Sequence, residues 1–232
     1  MLMPVKLIGS SKPDNMIGVE NLQDLIAYVA KVSNPQFQDD FTNSDRLLSY
    51  LMRHKHWSPF EMVSITLEIE TTRDIARQIL RHRSFSFQEF SQRYKEVTAM
   101  KNAFVTRETR YQHDTNRQDS VDLDMNNEHD INLDKMWQAK QQQLLHETQL
   151  AYKWALENGI AKEQARAILP EGNTVSRLYM QGNVRSWIHY IELRSGNGTQ
   201  KEHMKIAREC ADAIAPIFPM IMNFVTENKK AH

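Results

Sequence analysis

Residues 63–70 read VSITLEIE, and this stretch decides the fold because apolar and polar side chains alternate along it. Positions 63, 65, 67 and 69 are apolar and the positions between them are polar, a period of two that is typical of a strand with one buried face. Thr72 follows closely and is a residue type that caps helices, so we predict a helix over residues 73–82. A strand followed at once by a helix is the first indication of a mixed α and β fold.

Further elements extend outward from this stretch in both directions. Strands are predicted over residues 5–9 and 175–181, and helices over about 22–29, 45–53, 134–157 and 183–193. Asn21 and Asn183 are the expected N-caps of two of these helices, and Thr199-x-x-Glu202 matches a capping box that opens another. Residues 114–134 are rich in Asp and Asn and predict a solvated loop or insertion. The simplest interpretation is one α+β domain over residues 1–232, with a central antiparallel or mixed sheet flanked by long helices.

Composition restricts the class of protein. At 232 residues the chain can bury one sizeable core, and 41% hydrophobic with 25% charged residues is typical of a soluble globular protein. The 29 basic residues balance 29 acidic ones, whereas a protein that coats nucleic acid would be basic overall. No apolar run reaches the ~18 residues of a membrane span, and the N-terminal residues do not resemble a signal peptide. Cys210 is the only cysteine, which argues against disulfides and favours a cytoplasmic location.

Arginines recur at helical spacing in the helix predicted after the strand. Arg73, Arg77 and Arg81 are four residues apart and would lie on one helix face, where like charges cost roughly a few tenths of a kcal/mol per pair. One interpretation is an ordinary solvated stripe that is balanced by Glu70 and Asp74. The other is a phosphate site, because a guanidinium group is always charged and grips phosphate through two hydrogen bonds. The spacing alone leaves both interpretations open.

A second set of charged residues brackets the helix that Asn183 is expected to cap. Arg185 would lie in the first turn, where the helix dipole disfavours a cation, and a bound anion would compensate for it. Arg194 would lie in the last turn, where a cation is favoured. The sequence lacks a phosphate-binding loop, a dinucleotide fingerprint and a His-Glu-x-x-His zinc motif, and Cys210 lies on an apolar helix face that is typical of core. The residues alone therefore predict an arginine-rich site for an anionic ligand, without a metal.

Five fixed residues within thirteen carry a more specific signal. Arg81-His82-Arg83, Ser91 and Arg93 match the pattern R-H-R-x7-S-x-R of the flavin-dependent thymidylate synthases. Other segments resemble the same family in order and spacing, namely residues 56–61 (HWSPFE), 165–170 (ARAILP), 183–186 (NVRS) and 193–194 (LR). The resemblance extends over about residues 26–214. One position departs from it, because members often carry a histidine where this chain has Gly198.

The resemblance implies the fold of that family and its reaction, the reductive methylation of dUMP to dTMP. Methylenetetrahydrofolate would supply the carbon, and NADPH would supply the reducing equivalents through FAD. Arg194 would be the catalytic residue, because a fixed guanidinium on the N3/O2 side of uracil stabilises the negative charge that makes carbon 5 nucleophilic. The residues implied to bind dUMP are Gln78, Arg81, Glu89, Ser91, Arg93, Arg166 and Arg194. Those implied to bind FAD are Ser58, Arg81, His82, Arg83, Glu89, Asn183, Arg185 and His189.

The resemblance also implies a homotetramer with active sites shared between subunits, and it implies neither nucleic acid nor a membrane as a partner. An alternative from another class is a non-catalytic nucleotide- or RNA-binding module that uses the arginine stripe and nearby phenylalanines for phosphate and base contacts. The zero net charge argues against that module. A third possibility is a related flavoprotein that acts on another uracil-containing substrate.

Overall fold

The computed structural model describes residues 5–14, 18–100, 102–196 and 198–226. Within these ranges the strands are β1 Val5–Ser10, β2 Ser64–Thr72, β3 Ser86–Glu89, β4 Arg110–Gln112, β5 Ser120–Asp122 and β6 Val175–Asn183. The α-helices are α1 Leu22–Ala30, α2 Ser44–Arg53, α3 Arg73–Ile79, α4 Glu128–Glu157, α5 Lys162–Ala165, α6 Val184–Arg194 and α7 Lys201–Ile214. Short 3-10 turns cover Pro35–Phe37, Ser58–Glu61, Val97–Ala99, Arg166–Ile168 and Pro219–Phe224.

The main sheet has four strands in the order β1-β2-β6-β3, and each neighbouring pair is antiparallel. The predicted strand over residues 63–70 is confirmed as β2, in which Ile65, Leu67 and Ile69 are buried. Leu67 lies opposite Leu7 of β1 and Met180 of β6, so the apolar face continues across the sheet. The predicted α+β class is therefore confirmed, and the central sheet is antiparallel rather than mixed.

Helices α6 and α7 pack together, and α7 also covers β1 and β2. Trp187 of α6 is fully buried in this layer, and its Nε1 donates a hydrogen bond to the carbonyl of Ile65 at 3.1 Å. Cys210 of α7 is buried in the same core, as its apolar helix position predicted. Both asparagine caps are confirmed: the side chain of Asn21 accepts from the backbone N–H of Asp24 and starts α1, and Asn183 does the same for α6.

The end of α3 and the start of α7 differ from the prediction. Helix α3 ends at Ile79 rather than near His82, because its last bonds tighten to the three-residue type, as in the bond from the His82 N–H to the Ile79 carbonyl. Arg81 therefore leaves the helix face that it was predicted to share with Arg73 and Arg77. Helix α7 begins at Lys201, and its N-cap residue makes no side-chain capping bond, so the predicted capping box was wrong.

The polar segment over residues 114–134 is more ordered than predicted. Strands β4 and β5 form a hairpin, and α4 already begins at Glu128. Tyr111 of β4 donates its hydroxyl to the Asp130 carboxylate at 2.8 Å, which ties the hairpin to the start of α4. Strand β5 and the first turns of α4 therefore replace part of the predicted loop, whereas most side chains of the segment are exposed, as expected of a solvated segment. Its status as an insertion relative to other chains stays a prediction.

Candidate functional site

Arg81, His82 and Arg83 lie in the turn that follows α3. The side chains of Arg81 and Arg83 are exposed, whereas His82 is partly buried against the ring of Tyr190, with ring centroids 4.9 Å apart. The chain then enters β3 through Phe85, which packs edge-on against Trp187 in the core. The early end of α3 and the anchoring of Phe85 therefore turn His82 inward and leave the two arginines facing outward.

Arg194 in the last turn of α6 contacts this turn directly. Its Nε donates a hydrogen bond to Nε2 of His82 at 3.1 Å, although the two residues are 112 positions apart in the sequence. Burial first, and the nearby charge of Arg194 second, lower the pKa of His82 to about 4. His82 is therefore neutral near pH 7 and can accept this bond. The terminal nitrogens of Arg194 have no partner among the described residues and remain available to a ligand.

Gln78 and His203 extend the same cluster towards α7. His203 is fully buried, and its two ring nitrogens lie 3.1 Å from Gln78 Oε1 and 3.1 Å from the Tyr190 hydroxyl. Gln78 in turn donates from Nε2 to Oε1 of Gln200 at 2.8 Å. Burial lowers the pKa of His203 to about 3 and raises the pKa of Tyr190, so both groups are uncharged. The structure thus joins Gln78, His82 and Arg194 in one cluster.

Glu89 at the end of β3 belongs to a separate network of charges. Its carboxylate lies 3.5 Å from a terminal nitrogen of Arg73 and 3.5 Å from one of Arg77, and it accepts a hydrogen bond from Ser176 at 2.8 Å. Glu171 binds the Nε groups of the same two arginines, at 3.2 and 3.7 Å. The interpretation of a solvated stripe balanced by Glu70 and Asp74 is therefore wrong for Arg73, which is buried and paired with other carboxylates.

Several residues of the implied flavin site line one cleft of about 780 Å³. Asn183, at the start of α6, uses its side chain to cap the helix. Arg185 in the first turn is paired with Glu61, so a protein carboxylate already compensates the cation that was expected to need an anion. Ser58 is exposed at the start of the turn that carries Glu61. The lining residues are Met52, Lys55, Trp57, Glu61, Ser84, Asn183, Arg185, Ser186, Ile188, His189, Glu192 and Phe224.

The remaining predicted residues lie outside both the cluster and the cleft. Arg93 is exposed and faces Glu163 of α5, with a nitrogen–oxygen distance of 3.3 Å. Arg166 begins the 3-10 turn that follows α5. Among the described residues, no hydrogen bond or ion pair links Ser91, Arg93 or Arg166 to Arg194. A second, shallower depression of about 460 Å³ lies between α1 and α2 and contains no predicted site residue.

Sequence reasoning missed two contributors to the cluster, His203 and Tyr190, and one further buried polar residue, Gln92. His203 and Tyr190 stand at helical spacing on the buried faces of α7 and α6, so the signal was a polar residue on an apolar stripe. Gln92 is buried beside Ser91, and its Nε2 has no hydrogen-bond partner in the part of the chain that the structure describes. In that same part, no group of His, Cys, Asp and Glu side chains could hold a metal ion, and no helix is long and apolar enough to cross a membrane.

Comparisons with known proteins give the family. Residues 16–220 match the model of the Thy1 family, described as thymidylate synthase complementing protein. A probable flavin-dependent thymidylate synthase of Paramecium bursaria Chlorella virus 1 is 46% identical over 219 residues, which cover 94% of this chain and 97% of the relative. A flavin-dependent thymidylate synthase of Synechocystis sp. is also 46% identical, with the same shares covered.

A solved structure agrees with these relatives. The UMP/dUMP methylase PolB from Streptomyces cacaoi, bound with 5-Br dUMP, superposes with a TM-score of 0.76 at 27% identity. The match covers 95% of this chain and 93% of that one. The antiparallel sheet, the Arg81-His82-Arg83 turn and the match over nearly the whole chain lead to one conclusion: the chain belongs to the flavin-dependent thymidylate synthase family.

Proposed function

We propose that this chain catalyses the reductive methylation of dUMP to dTMP, with methylenetetrahydrofolate as the carbon donor and with NADPH as the reductant through FAD. The observation that carries the proposal is the bond from Arg194 to the neutral ring of His82 at 3.1 Å. It orients a cation whose terminal nitrogens have no protein partner among the described residues. The names of the relatives, flavin-dependent thymidylate synthases at 46% identity, support the same reaction.

Arg194 would act on the substrate through charge. Carbon 5 of uracil becomes nucleophilic when electron density moves towards it from the N3/O2 side of the ring. A guanidinium placed at that side stabilises the negative charge that develops there. Because His82 holds Nε, the plane of the guanidinium is set before the substrate arrives, and less free energy is spent on orienting it during the reaction.

The nucleotide would contact residues from four parts of the fold: the end of α3, the end of β3 with the segment after it, the turn after α5, and the end of α6. Gln78 and Arg81 lie at and just beyond the end of α3, and Arg166 follows α5. Arg81 is exposed and Arg166 is partly buried, and both guanidinium groups suit a phosphate, which accepts paired hydrogen bonds from arginine. The full proposed set for dUMP is Gln78, Arg81, Glu89, Ser91, Arg93, Arg166 and Arg194.

The cleft beside α6 fits an FAD group. Its volume of about 780 Å³ falls within the range of cofactor sites. Trp57 and Phe224 offer apolar surface, and Arg185 and His189 offer hydrogen-bond donors for anionic and polar parts. FAD, when bound there, supplies the reducing equivalents that the methyl transfer requires. The proposed flavin residues are Ser58, Arg81, His82, Arg83, Glu89, Asn183, Arg185 and His189.

We further propose a homotetramer with shared active sites. Helix α4 carries large apolar side chains that are 51–66% exposed, at Met136, Leu144, Leu150 and Trp154. Large apolar side chains that recur exposed along one helix support an interface with another subunit. Sharing would also explain why Arg93 and Arg166 do not reach Arg194 within one chain. A cytoplasmic location stays a prediction.

The choice of nucleotide has a second candidate. PolB acts on both UMP and dUMP according to its description, so UMP is the alternative uracil-containing substrate to test. The earlier alternative, a non-catalytic RNA-binding module, is not favoured, because the relatives at 46% identity are enzymes by name.

The decisive experiment is reconstitution of the whole reaction. Purified protein is incubated with FAD, NADPH, methylenetetrahydrofolate carrying a labelled methylene group, and either dUMP or UMP. We expect flavin absorbance retained in near-equal amount to subunits, labelled dTMP as product, and no product when any one component is omitted. A protein that neither retains FAD nor forms dTMP would contradict the proposal. Faster methylation of UMP than of dUMP would show that UMP is the preferred substrate.

A further inference from the structure

A chain of hydrogen bonds behind the proposed dUMP site has a direction that can be deduced. It runs from Glu202 through Gln200 and Gln78 to His203 and Tyr190. The carboxylate of Glu202 only accepts hydrogen bonds, so Gln200 must donate its Nε2–H to it, at 3.0 Å. The other end of the Gln200 amide, Oε1, then accepts from Nε2 of Gln78 at 2.8 Å.

The orientation of the Gln78 amide determines which nitrogen of the buried His203 ring carries the hydrogen. Gln78 has its oxygen towards His203 Nδ1, at 3.1 Å, so Nδ1 must carry the ring hydrogen. The other nitrogen, Nε2, is then free to accept from the Tyr190 hydroxyl at 3.1 Å. Burial lowers the pKa of His203 to about 3, which leaves the single ring hydrogen that this arrangement needs.

The reverse orientation of the Gln78 amide is unfavourable on both of its sides. It would set the side-chain oxygens of Gln78 and Gln200 against each other. It would also require His203 to donate from Nε2, so the buried hydroxyl hydrogen of Tyr190 would have no acceptor among the described residues. Buried polar groups are rarely left unpaired, which favours the first orientation. Arg110 binds the other oxygen of Glu202 and so holds the anchoring carboxylate in place.

We infer that His203 is a positioning residue that holds the Gln78 amide with its nitrogen available to the nucleotide, so that Gln78 meets dUMP as a hydrogen-bond donor. The inference rests on the proposed function, which assigns Gln78 to the dUMP site. The second hydrogen on Gln78 Nε2 has no acceptor in the part of the chain that the structure describes, and Gln78 is only partly buried. An acceptor oxygen of the nucleotide can take that hydrogen, whereas His203 acts only through Gln78.

Two amide substitutions, which differ by one methylene group, separate the two contacts of His203. His203→Asn keeps an N–H group near the position of Nδ1, so the donor to Gln78 is retained and the contact with Tyr190 is lost. His203→Gln places its amide near the position of Nε2, so the contact with Tyr190 is retained and the donor to Gln78 is lost. We expect His203→Gln to raise the Kd for dUMP by about tenfold, which is the loss of one oriented hydrogen bond, and His203→Asn to leave the Kd near the wild-type value.

The Kd for dUMP is measured by calorimetry on FAD-loaded protein, together with kcat and flavin absorbance. A rise in Kd with kcat at saturating dUMP and flavin content retained supports positioning. Equal rises in both variants, or no rise in His203→Gln, would overturn the inference, because the Kd would then not depend on the donor to Gln78.

A measurement on the unsubstituted protein covers the case in which the variants do not fold. Histidine-selective ¹⁵N labelling reports which ring nitrogen carries the hydrogen in the imidazoles that do not titrate near neutral pH. Hydrogen on Nδ1 of His203 supports the deduced direction, and hydrogen on Nε2 overturns it. If the wild-type protein fails to bind dUMP, the proposed function is contradicted, and the ring tautomer still decides the orientation of Gln78.

Discussion

Removing the guanidinium of Arg194 is the most direct test of the proposed chemistry. Arg194→Ala deletes the cation and also the hydrogen bond of 3.1 Å to His82. Loss of one preorganised group that stabilises developing charge typically lowers kcat by about 10²–10³-fold, or roughly 3–4 kcal/mol. Flavin binding should remain, because the cleft beside α6 does not include Arg194 among its lining residues.

The variant Arg194→Lys tests how much of the expected loss in kcat comes from the charge alone. A lysine keeps the charge, but its single ammonium group cannot bind His82 and also present paired donors to the uracil ring. We expect a loss between that of alanine and the wild type, of about tenfold in kcat. The assay measures dTMP formation at saturating dUMP alongside flavin absorbance.

Arg177→Lys is the matched control, because Arg177 is an exposed arginine of β6 that pairs with Glu70 away from this cluster. If Arg194→Ala kept kcat within about threefold of wild type while retaining flavin, charge stabilisation by Arg194 would be refuted.

Three further outcomes are expected. A histidine in the unfolded chain takes up a proton near its ordinary pKa of 6.5, whereas burial lowers the pKa of His203 in the folded protein to about 3. Between these two values the unfolded state binds more protons, so the free energy of unfolding decreases as the pH is lowered. Urea unfolding at pH 7 and pH 5 should therefore show a decrease that is smaller by about 2 kcal/mol in His203→Asn than in the wild type. Gly182→Ala would place its Cβ 2.5 Å from a ring carbon of Phe85 and should lower the free energy of unfolding by about 1–3 kcal/mol, whereas Gly9→Ala in β1, with 4.0 Å to its nearest neighbour, should change it little. Asn183→Asp retains the helix-capping oxygen and should leave the melting temperature nearly unchanged, but its added charge should weaken FAD binding, measured by fluorescence titration; equal affinity would remove Asn183 from the flavin site.

The elements that could be predicted from the sequence are those whose cause is local. The alternation in residues 63–70 predicts β2 because burial of one face depends only on the period. Asn183 predicts the start of α6 because its side chain bonds a backbone N–H three residues away. The family motif likewise locates Arg81 and His82 in one short segment. Each of these inferences needs no knowledge of distant parts of the chain.

The networks of the site depend on contacts that no local pattern reports. The partners His82 and Arg194 are 112 positions apart, and Gln78 and His203 are 125 apart. The end of α3 is a second example. A helix was predicted to about residue 82, but α3 ends at Ile79, where the chain turns so that Phe85 can pack in the core. Tertiary packing overrides a weak local preference in such cases.

Two imidazoles shielded from solvent, the partly buried His82 and the buried His203, give the site a common physical basis. Burial holds His82 and His203 neutral, and a neutral imidazole can accept a hydrogen bond at one nitrogen while its other nitrogen donates. His82 accepts from Arg194, and His203 donates to Gln78, so each histidine sets the direction of a residue that is proposed to meet the nucleotide. A protonated imidazole can only donate, so it would release Arg194 in the first case and leave the hydroxyl hydrogen of Tyr190 without its acceptor in the second. Burial of these histidines therefore lowers the free energy of unfolding at low pH and at the same time orients the hydrogen-bond donors of the site. A substitution that admitted water to the cluster would weaken this orientation and would also reduce the loss of stability at low pH.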